Sequence, residues 1–440
     1  LCQELERLHS SAPAHEAWFT DAAIEEAFGF RRRELFEEFD ARPVASGSIG
    51  QVHRATLSKV GARLTGAAPG TRVAVKVRHP GVCDSIERDF ALMQAAAAML
   101  GRLPGLAHLR LGESLEQFAA PLREQVDLGR EAYYLHQFNY NFRDVAAVSF
   151  PVPHYPLVAP GVLVESFEEG RHISAYVAQG PGAPFNSTLA IIGAQTMLHM
   201  MIVDSLVHAD LHPGNILVRL HTLGGRAGER LVRGVRGALR RAGAVLKVDL
   251  DPPAEWLTQP RIVLLDAGMA TSLSAEDGRN MCGLFDCFSR LDGRGVAEWI
   301  LRFSDDQQSC ADPEAFKREV EENFRANAEA DMYAHGNESN GAEALAHVLD
   351  LCRAHRVNLP GHICATVVTT LVLEGWSHDL DPAHSTLAEV QRVVAAARGG
   401  WRAWLGTVAD ANVLQRIPSF DEPVATGGKW DPARLFSWNH

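Results

Sequence analysis

His208-Ala-Asp-Leu-His-Pro-Gly-Asn215 is the stretch whose reading decides the fold. Four residues separate Asp210 from Asn215, and Ile216-Leu-Val218 then reads as a short apolar strand. Pro213-Gly214 cannot continue a helix, because proline lacks an N–H and clashes with the preceding turn. His208 and His212 are therefore not the helical His-x-x-x-His pair of a zinc site. A carboxylate and an amide oxygen are instead held together on a loop. Further on, the strand-like Arg261-Ile-Val-Leu-Leu-Asp266 ends in Asp266-Ala-Gly268. One Asp-x-Gly is a common turn. After Asp210 and Asn215, in that order, it reads as a second metal ligand.

Working outward, Gly50–Leu57 and Arg72–Arg78 alternate apolar and polar residues as paired strands do. The link between them, Gly61 to Gly70, reads as turn-like. Lys76 in Val73-Ala-Val-Lys76 is costly to bury without a carboxylate. Glu131, on a helix expected from Leu115 to Phe138, is its natural partner; an edge-strand lysine with its head in water is the bland alternative. Ala45-Ser-Gly-Ser-Ile-Gly50 is a small-residue loop that lets backbone N–H groups approach phosphate oxygens, or an ordinary turn. Val162–Phe167 reads as a strand and Glu168-Glu-Gly170 as a hinge. Residues 1–34 read as helical, and everything beyond Ser274 as a helical bundle. Leu189–Leu206 is the most apolar long segment; Gln195, His199 and Asp204 make it a core helix rather than a membrane span.

The chain has 440 residues, 46% hydrophobic and 22% charged, enough for two or three domains' worth of core. Its net charge of −12 argues against nucleic-acid binding. Seven scattered cysteines without a C-x-x-C pair suit a reducing compartment. Opening at Leu1 inside a helical pattern, the chain reads as a fragment whose targeting segment is missing.

These parts are what phosphoryl transfer requires: cover for the phosphates, a cation, metal ligands and a carboxylate beside the acceptor. The chain resembles the ABC1/UbiB/ADCK family of atypical kinases. The matching residues are Ala45-Ser-Gly-Ser-Ile-Gly-Gln-Val-His-Arg-Ala55, Val73-Ala-Val-Lys-Val-Arg-His-Pro-Gly81, Val126-Asp-Leu-Gly-Arg-Glu-Ala132, Val207–Val218 and Leu265-Asp-Ala-Gly-Met269. The resemblance implies an α+β, two-lobed protein-kinase-like fold, with a small β-sheet plus helices in the N-lobe and a mainly helical C-lobe. The lobes are expected at 36–168 and 169–400, between a partial N-terminal extension (1–35) and a C-terminal tail (401–440). It implies ATP and Mg²⁺, and a role in ubiquinone or related isoprenoid-quinone metabolism in mitochondria or plastids. Asp210, Lys76 and Glu131 become the catalytic residues and Asn215 and Asp266 the metal ligands. Ala45, Ser46, Gly47, Ser48, Ile49, Gln51, Val52, Ala74, Lys76 and Glu165 become the nucleotide-binding set.

The departures from the family pattern are specific. Ser46 and Gly47 replace alanines of its phosphate loop, and Gln125-Val-Asp127 replaces its Glu-x-Asp. The Lys-x-Gly-Gln motif is absent from this chain. Ala209 stands where regulated protein kinases carry Arg, His212 where protein Ser/Thr kinases carry Lys, and no Ala-Pro-Glu follows Asp266. Together these tilt away from protein phosphorylation. An insertion at 219–260 concentrates Arg219, Arg226, Arg230, Arg233, Arg236, Arg240, Arg241 and Lys247 against Glu229 in residues 219–247. It reads as a surface loop or as a basic amphipathic segment in peripheral contact with an anionic membrane. The expected partners are ATP and a lipid or membrane-associated substrate, with no nucleic acid. Two other readings compete: a small-molecule phosphotransferase of aminoglycoside- or choline-kinase type, and a non-catalytic lipid-binding scaffold.

Overall fold

Alternation along the strands decides how the N-terminal half packs. The computed structural model describes residues 13–100, 123, 125–222, 258–303, 308–333, 341–382 and 389–393. Strands β1 (Phe36–Phe39), β2 (Ala45–Ser46), β3 (Gly50–Leu57), β4 (Arg72–Arg78), β6 (Pro153–Ala159) and β7 (Val162–Ser166) form one antiparallel sheet. Its order is β1-β3-β4-β7-β6, with β2 beside β3. Ala55, Leu57, Val73, Val75, Val77, Val162 and Val164 all face one core, which helix α1 (Ala17–Phe28) covers through Ile24. Each fully buried valine contributes about 1.5–3 kcal/mol. The alternate residues, Val52, Ala74, Lys76, Leu163 and Glu165, are left on the opposite face.

That second face meets helix α5 (Leu128–Asn141), capped by Asp127, whose carboxylate accepts the Gly129 N–H at 2.8 Å. The helix therefore starts at Leu128, not at Leu115; residues 101–122 lie outside the described set. The Gly61–Gly70 link also differs from its turn-like reading. It carries a short helix, α3 (Lys59–Thr65), whose N-cap Ser58 Oγ accepts the N–H groups of Val60 and Gly61. Gly61 is required there, since a Cβ would sit 2.3 Å from the Leu35 carbonyl oxygen.

The chain crosses at 167–170 into a second, four-stranded sheet, ordered β5 (Val148–Ser149), β11 (Thr258–Leu264), β10 (Ile216–Thr222), β8 (Arg171–His172). Both sides of the crossing hold it. Arg72 on β4 pairs with Glu169, and Arg219 on β10 reaches Glu168 at 2.6 Å. Arg219 is thus committed to the crossing and not to a basic surface. Strands β10 and β11 are paired from Ile216↔Leu264 to Thr222↔Thr258, so the insertion is shorter than 219–260. The rest of its basic stretch, 223–247, lies outside the described residues.

Helix α7 (Asn186–His199) and the π-helical turn Met200–Asp204 form the centre of the largest core, with Leu189, Met197, Met200 and Met201 buried. The segment is long and apolar enough to cross a membrane, yet 72% of it is buried within the protein, as a core helix requires. Helix α12 (Gly361–Leu380) packs against it, Trp376 lying over Gly193, where a Cβ would be 2.4 Å from the ring. Helices α8 (Ala275–Ser289), α9 (Gly293–Arg302), α10 (Pro313–Tyr333) and α11 (Gly341–Ala354) complete the helical half around Val296, Phe316, Val320 and Val348.

Candidate functional site

The inner face of the six-stranded sheet brings the first charged group. Lys76 lies opposite Leu163, and Glu165 opposite Ala74, so the lysine and the glutamate share a face on adjacent strands. Glu131, on the first turn of α5, meets Lys76 in a direct ion pair. Glu165 Oε1 lies 3.4 Å from the same ammonium. All three side chains are sequestered: 14% of Lys76 and 4% of each glutamate remains exposed. The pairing read from the sequence is present, and the edge-strand alternative for Lys76 is not.

The second group comes from two pairings. Strand β9 (Leu206–His208) pairs with β12 (Ala270–Ser272), which sets the Asp210 loop beside Asp266. The β10–β11 hairpin sets Asn215 beside Leu265, whose N–H donates to the Asn215 carbonyl at 2.8 Å. His208 is fully buried and ties both loops: its Nε2–H donates to the Leu265 carbonyl at 3.0 Å, and its Nδ1 accepts from the Asp210 N–H at 3.3 Å. Burial holds this imidazole neutral, its pKa lowered despite the carbonyl bond and the nearby Asp210 and Asp266. The Asn215 amide donates to Asp210 Oδ2 at 3.0 Å and to its carbonyl at 3.2 Å. Its amide oxygen is thereby turned away from Asp210. His212 caps the loop, its Nδ1 accepting the Gly214 N–H at 3.0 Å.

Asp266 has a left-handed backbone, φ 54°, and its Oδ1 accepts the Gly268 N–H at 3.2 Å. Burial opposes its ionisation, but Lys76, that N–H, His208 and His212 outweigh burial and lower its pKa. Burial likewise opposes the charge on Lys76, and Glu131, Glu165 and Asp266 outweigh it, so the ammonium binds its proton more tightly than a free lysine. One lysine cannot neutralise three carboxylates. Burial, with Asp266 and Glu165 adding to it against the pull of Lys76, pushes Glu131 up to about 8. Glu165 is raised for the same first reason, burial. The excess of carboxylate over cation is the feature that fits a divalent ion. Among the described residues no three His, Cys, Asp or Glu side chains converge into a cage of their own. Mg²⁺ takes one or two protein carboxylates and draws its other oxygens from phosphates and water.

The small-residue loop closes with the Gly47 N–H donating to the Gly50 carbonyl at 2.9 Å. His79 fastens it to the end of β4, its N–H donating to the Ile49 carbonyl at 2.8 Å and its Nε2–H to the Gly47 carbonyl at 3.1 Å. Sequence reasoning matched His79-Pro-Gly81 to the family pattern but gave His79 no place in the site. Val52, Ala74, Lys76 and Glu165 share the inner face, and Ala45 to Ile49 lie at its rim. Gln51 does not join them. Strand alternation sends its side chain to the other face, where it is buried against His53 Nε2 at 2.9 Å and accepts the His15 N–H at 2.9 Å. Its place is to anchor the segment preceding α1, not to line the cleft.

The comparisons agree with this architecture. Residues 7–300 match the family described as ABC1 atypical kinase-like domain. The probable serine/threonine-protein kinase abkC of Dictyostelium discoideum is 30% identical over 415 residues, covering 87% of this chain and 58% of its own length. The mitochondrial ABC1 family protein YPL109C of Saccharomyces cerevisiae is 29% identical, covering 87% and 61%. A mitochondrial ABC1 family protein of Schizosaccharomyces pombe is 27% identical, covering 90% and 60%. The chain thus spans about three fifths of the length of these relatives. Among solved structures, the complex of Rv3197 with erythromycin from Mycobacterium tuberculosis aligns with a TM-score of 0.55 at 18% identity, covering 89% of this chain and 85% of that one, a likeness of fold. With its six- and four-stranded sheets, its Lys76–Glu131 pair and its Asp210–Asn215–Asp266 cluster, the chain belongs to the ABC1 atypical kinase-like family.

Proposed function

We propose that this chain binds ATP with Mg²⁺ and hydrolyses it or transfers its terminal phosphoryl group, in support of ubiquinone or a related isoprenoid-quinone lipid of the mitochondrion. One observation carries the catalytic part: the Lys76–Glu131 pair and the Asp210, Asn215 and Asp266 side chains come from four separate stretches of chain and meet on one side of the six-stranded sheet. Family membership and two relatives named mitochondrial support the rest. In this reading Lys76 holds a phosphate oxygen, with Glu131 fixing its position. The backbone of residues 45–50 covers the phosphates. Asp210 orients the acceptor hydroxyl or water and takes its proton. Asn215 and Asp266 would hold Mg²⁺, which supplies charge neutralisation at the phosphates when bound. Ala209, His212 and the lack of Ala-Pro-Glu favour a lipid or other small acceptor over a protein. The lobes would meet at 168–170.

ATP binding by calorimetry, with and without Mg²⁺, and ATP turnover test the proposal. The wild type is expected to bind only with Mg²⁺ in place, and Asp266→Asn to lose turnover by about 100-fold or more, the loss of roughly 2.7 kcal/mol of transition-state stabilisation. Equal residual rates in the two proteins would mean a non-catalytic scaffold.

A further inference from the structure

Glu165 has no role in that scheme beyond its neighbourhood, and its geometry is specific. One of its oxygens faces Lys76 at 3.4 Å. The other is sealed from solvent and has no hydrogen-bond partner among the described residues. A sealed oxygen cannot touch a ligand, so this oxygen makes no nucleotide contact in this arrangement. An unsatisfied buried carboxylate is also costly, and a purely structural position would be better filled by an apolar side chain.

The two partners of Lys76 differ in where they are attached. Glu131 belongs to α5, a helix that packs on the sheet from outside it. Glu165 belongs to β7, hydrogen-bonded to the lysine's own strand, in fixed register with it. A shift of the helix relative to the sheet separates Lys76 from Glu131 but leaves its spacing to Glu165 unchanged. The other charges facing this carboxylate are Asp266, at the metal motif, and Glu168, at the crossing; both are negative and neither can replace Lys76 as its partner.

We propose that Glu165 is a positioning residue, a second and sheet-borne partner that keeps the Lys76 ammonium charged and in place when α5 carries Glu131 away. The inference rests on the nucleotide-site reading and deepens it. Lys76 has two partners in parallel, so losing either one is tolerated and losing both is not.

The test uses the full chain and the variants Glu131→Gln, Glu165→Gln and the two combined. The first readout contains no nucleotide: acetylation of Lys76 by acetic anhydride, followed by peptide mass spectrometry. Each single variant is expected to label within about 3-fold of wild type, and the double variant about 10-fold faster or more, since the amine then keeps only the unpaired charge of Asp266 nearby and loses its proton more readily. The second readout is Mg-ATP affinity. Singles are expected to weaken it about 3-fold each and the double about 30-fold, well past the roughly 9-fold of independent effects. Affinity losses that simply multiply, or a labelling rate in Glu131→Gln equal to that of the double, overturn the proposal. Where the double variant does not fold, the single decides: a rise of about 10-fold in Glu131→Gln alone refutes it. A wild type that binds no nucleotide refutes the functional reading instead, and the labelling arm still judges this one.

Discussion

At Lys76 the balance of charge makes stability depend on pH, and the sign follows from which groups move. Glu131 binds its proton more tightly in the folded protein, about 8 against an ordinary 4.5. Stability from a raised carboxylate is fully present below about 4.5 and is lost as pH rises through about 8. The raised Lys76 acts above its ordinary 10.5, and the lowered Asp266 below its ordinary 3.8, so neither opposes the trend inside that window. The lowered histidines His15, His53, His154, His208 and His221 act the other way around pH 6.5, so the Glu131 contribution is read in the difference in urea unfolding between wild type and Glu131→Gln, which in a chelator should shrink from pH 6 to 8 by at most about 1.4 kcal/mol per pH unit for one proton. Glu165→Gln removes one of the competing carboxylates and should flatten that slope; parallel slopes with and without Glu165 would refute the shared-proton account. Residue identities were legible at this scale where chemistry demanded a partner. A buried lysine needs a carboxylate, and Glu131 supplies it. The inner or outer face was not legible for Gln51: alternation says that Gln51 and Val52 point opposite ways, but not which of them meets the cleft. Only the apolar set that α1 covers decides that.

Elements were legible in proportion to how local their causes are. The β3–β4 pair follows from alternation, whereas α3 was missed, because Ser58 is an unremarkable cap until Leu35 is seen to pack beneath Gly61. The start of α5 was missed for a related reason: Asp127 ends the preceding stretch by accepting the Gly129 N–H, and apolar periodicity does not register a cap. Close approach between elements also explains Gly50. A Cβ there would lie 2.6 Å from the Val77 carbonyl oxygen and 3.1 Å from Arg78 Cα, both backbone atoms that cannot step aside. Gly50→Ala should cost about 1–3 kcal/mol, as overpacking does. Because the loop from Ala45 closes on Gly50 and is tied to β4 by His79, the same variant should also weaken Mg-ATP binding. A lowered urea midpoint with unchanged nucleotide affinity would separate the loop's position from the strand contact.

Across the whole molecule, the loops carrying Asp210, Asn215 and Asp266 are held by pairings that close on themselves. β9 with β12, β10 with β11, and His208 between them fix Asp210, Asn215 and Asp266 using only residues on either side of the insertion. The hairpin stays in register out to Thr222↔Thr258, so the chain leaves and re-enters the sheet at adjacent positions. Residues 223–257 should then be dispensable for the site. Replacing them with a short Asn-Gly turn, which suits the twist of paired strands, is expected to leave Mg-ATP affinity and thermal midpoint close to wild type. Arg219 remains in that variant, still paired with Glu168, so the crossing is untouched while the arginines beyond it are removed. The basic character of the insertion then faces a clean test. Binding to vesicles containing anionic phosphatidylserine should fall steeply if Arg226 to Lys247 hold the protein on a membrane, each charge near the surface contributing about 1 kcal/mol. Vesicle binding that survives the replacement would assign membrane contact elsewhere, and nucleotide affinity lost with it would mean that the insertion supports the hairpin it interrupts.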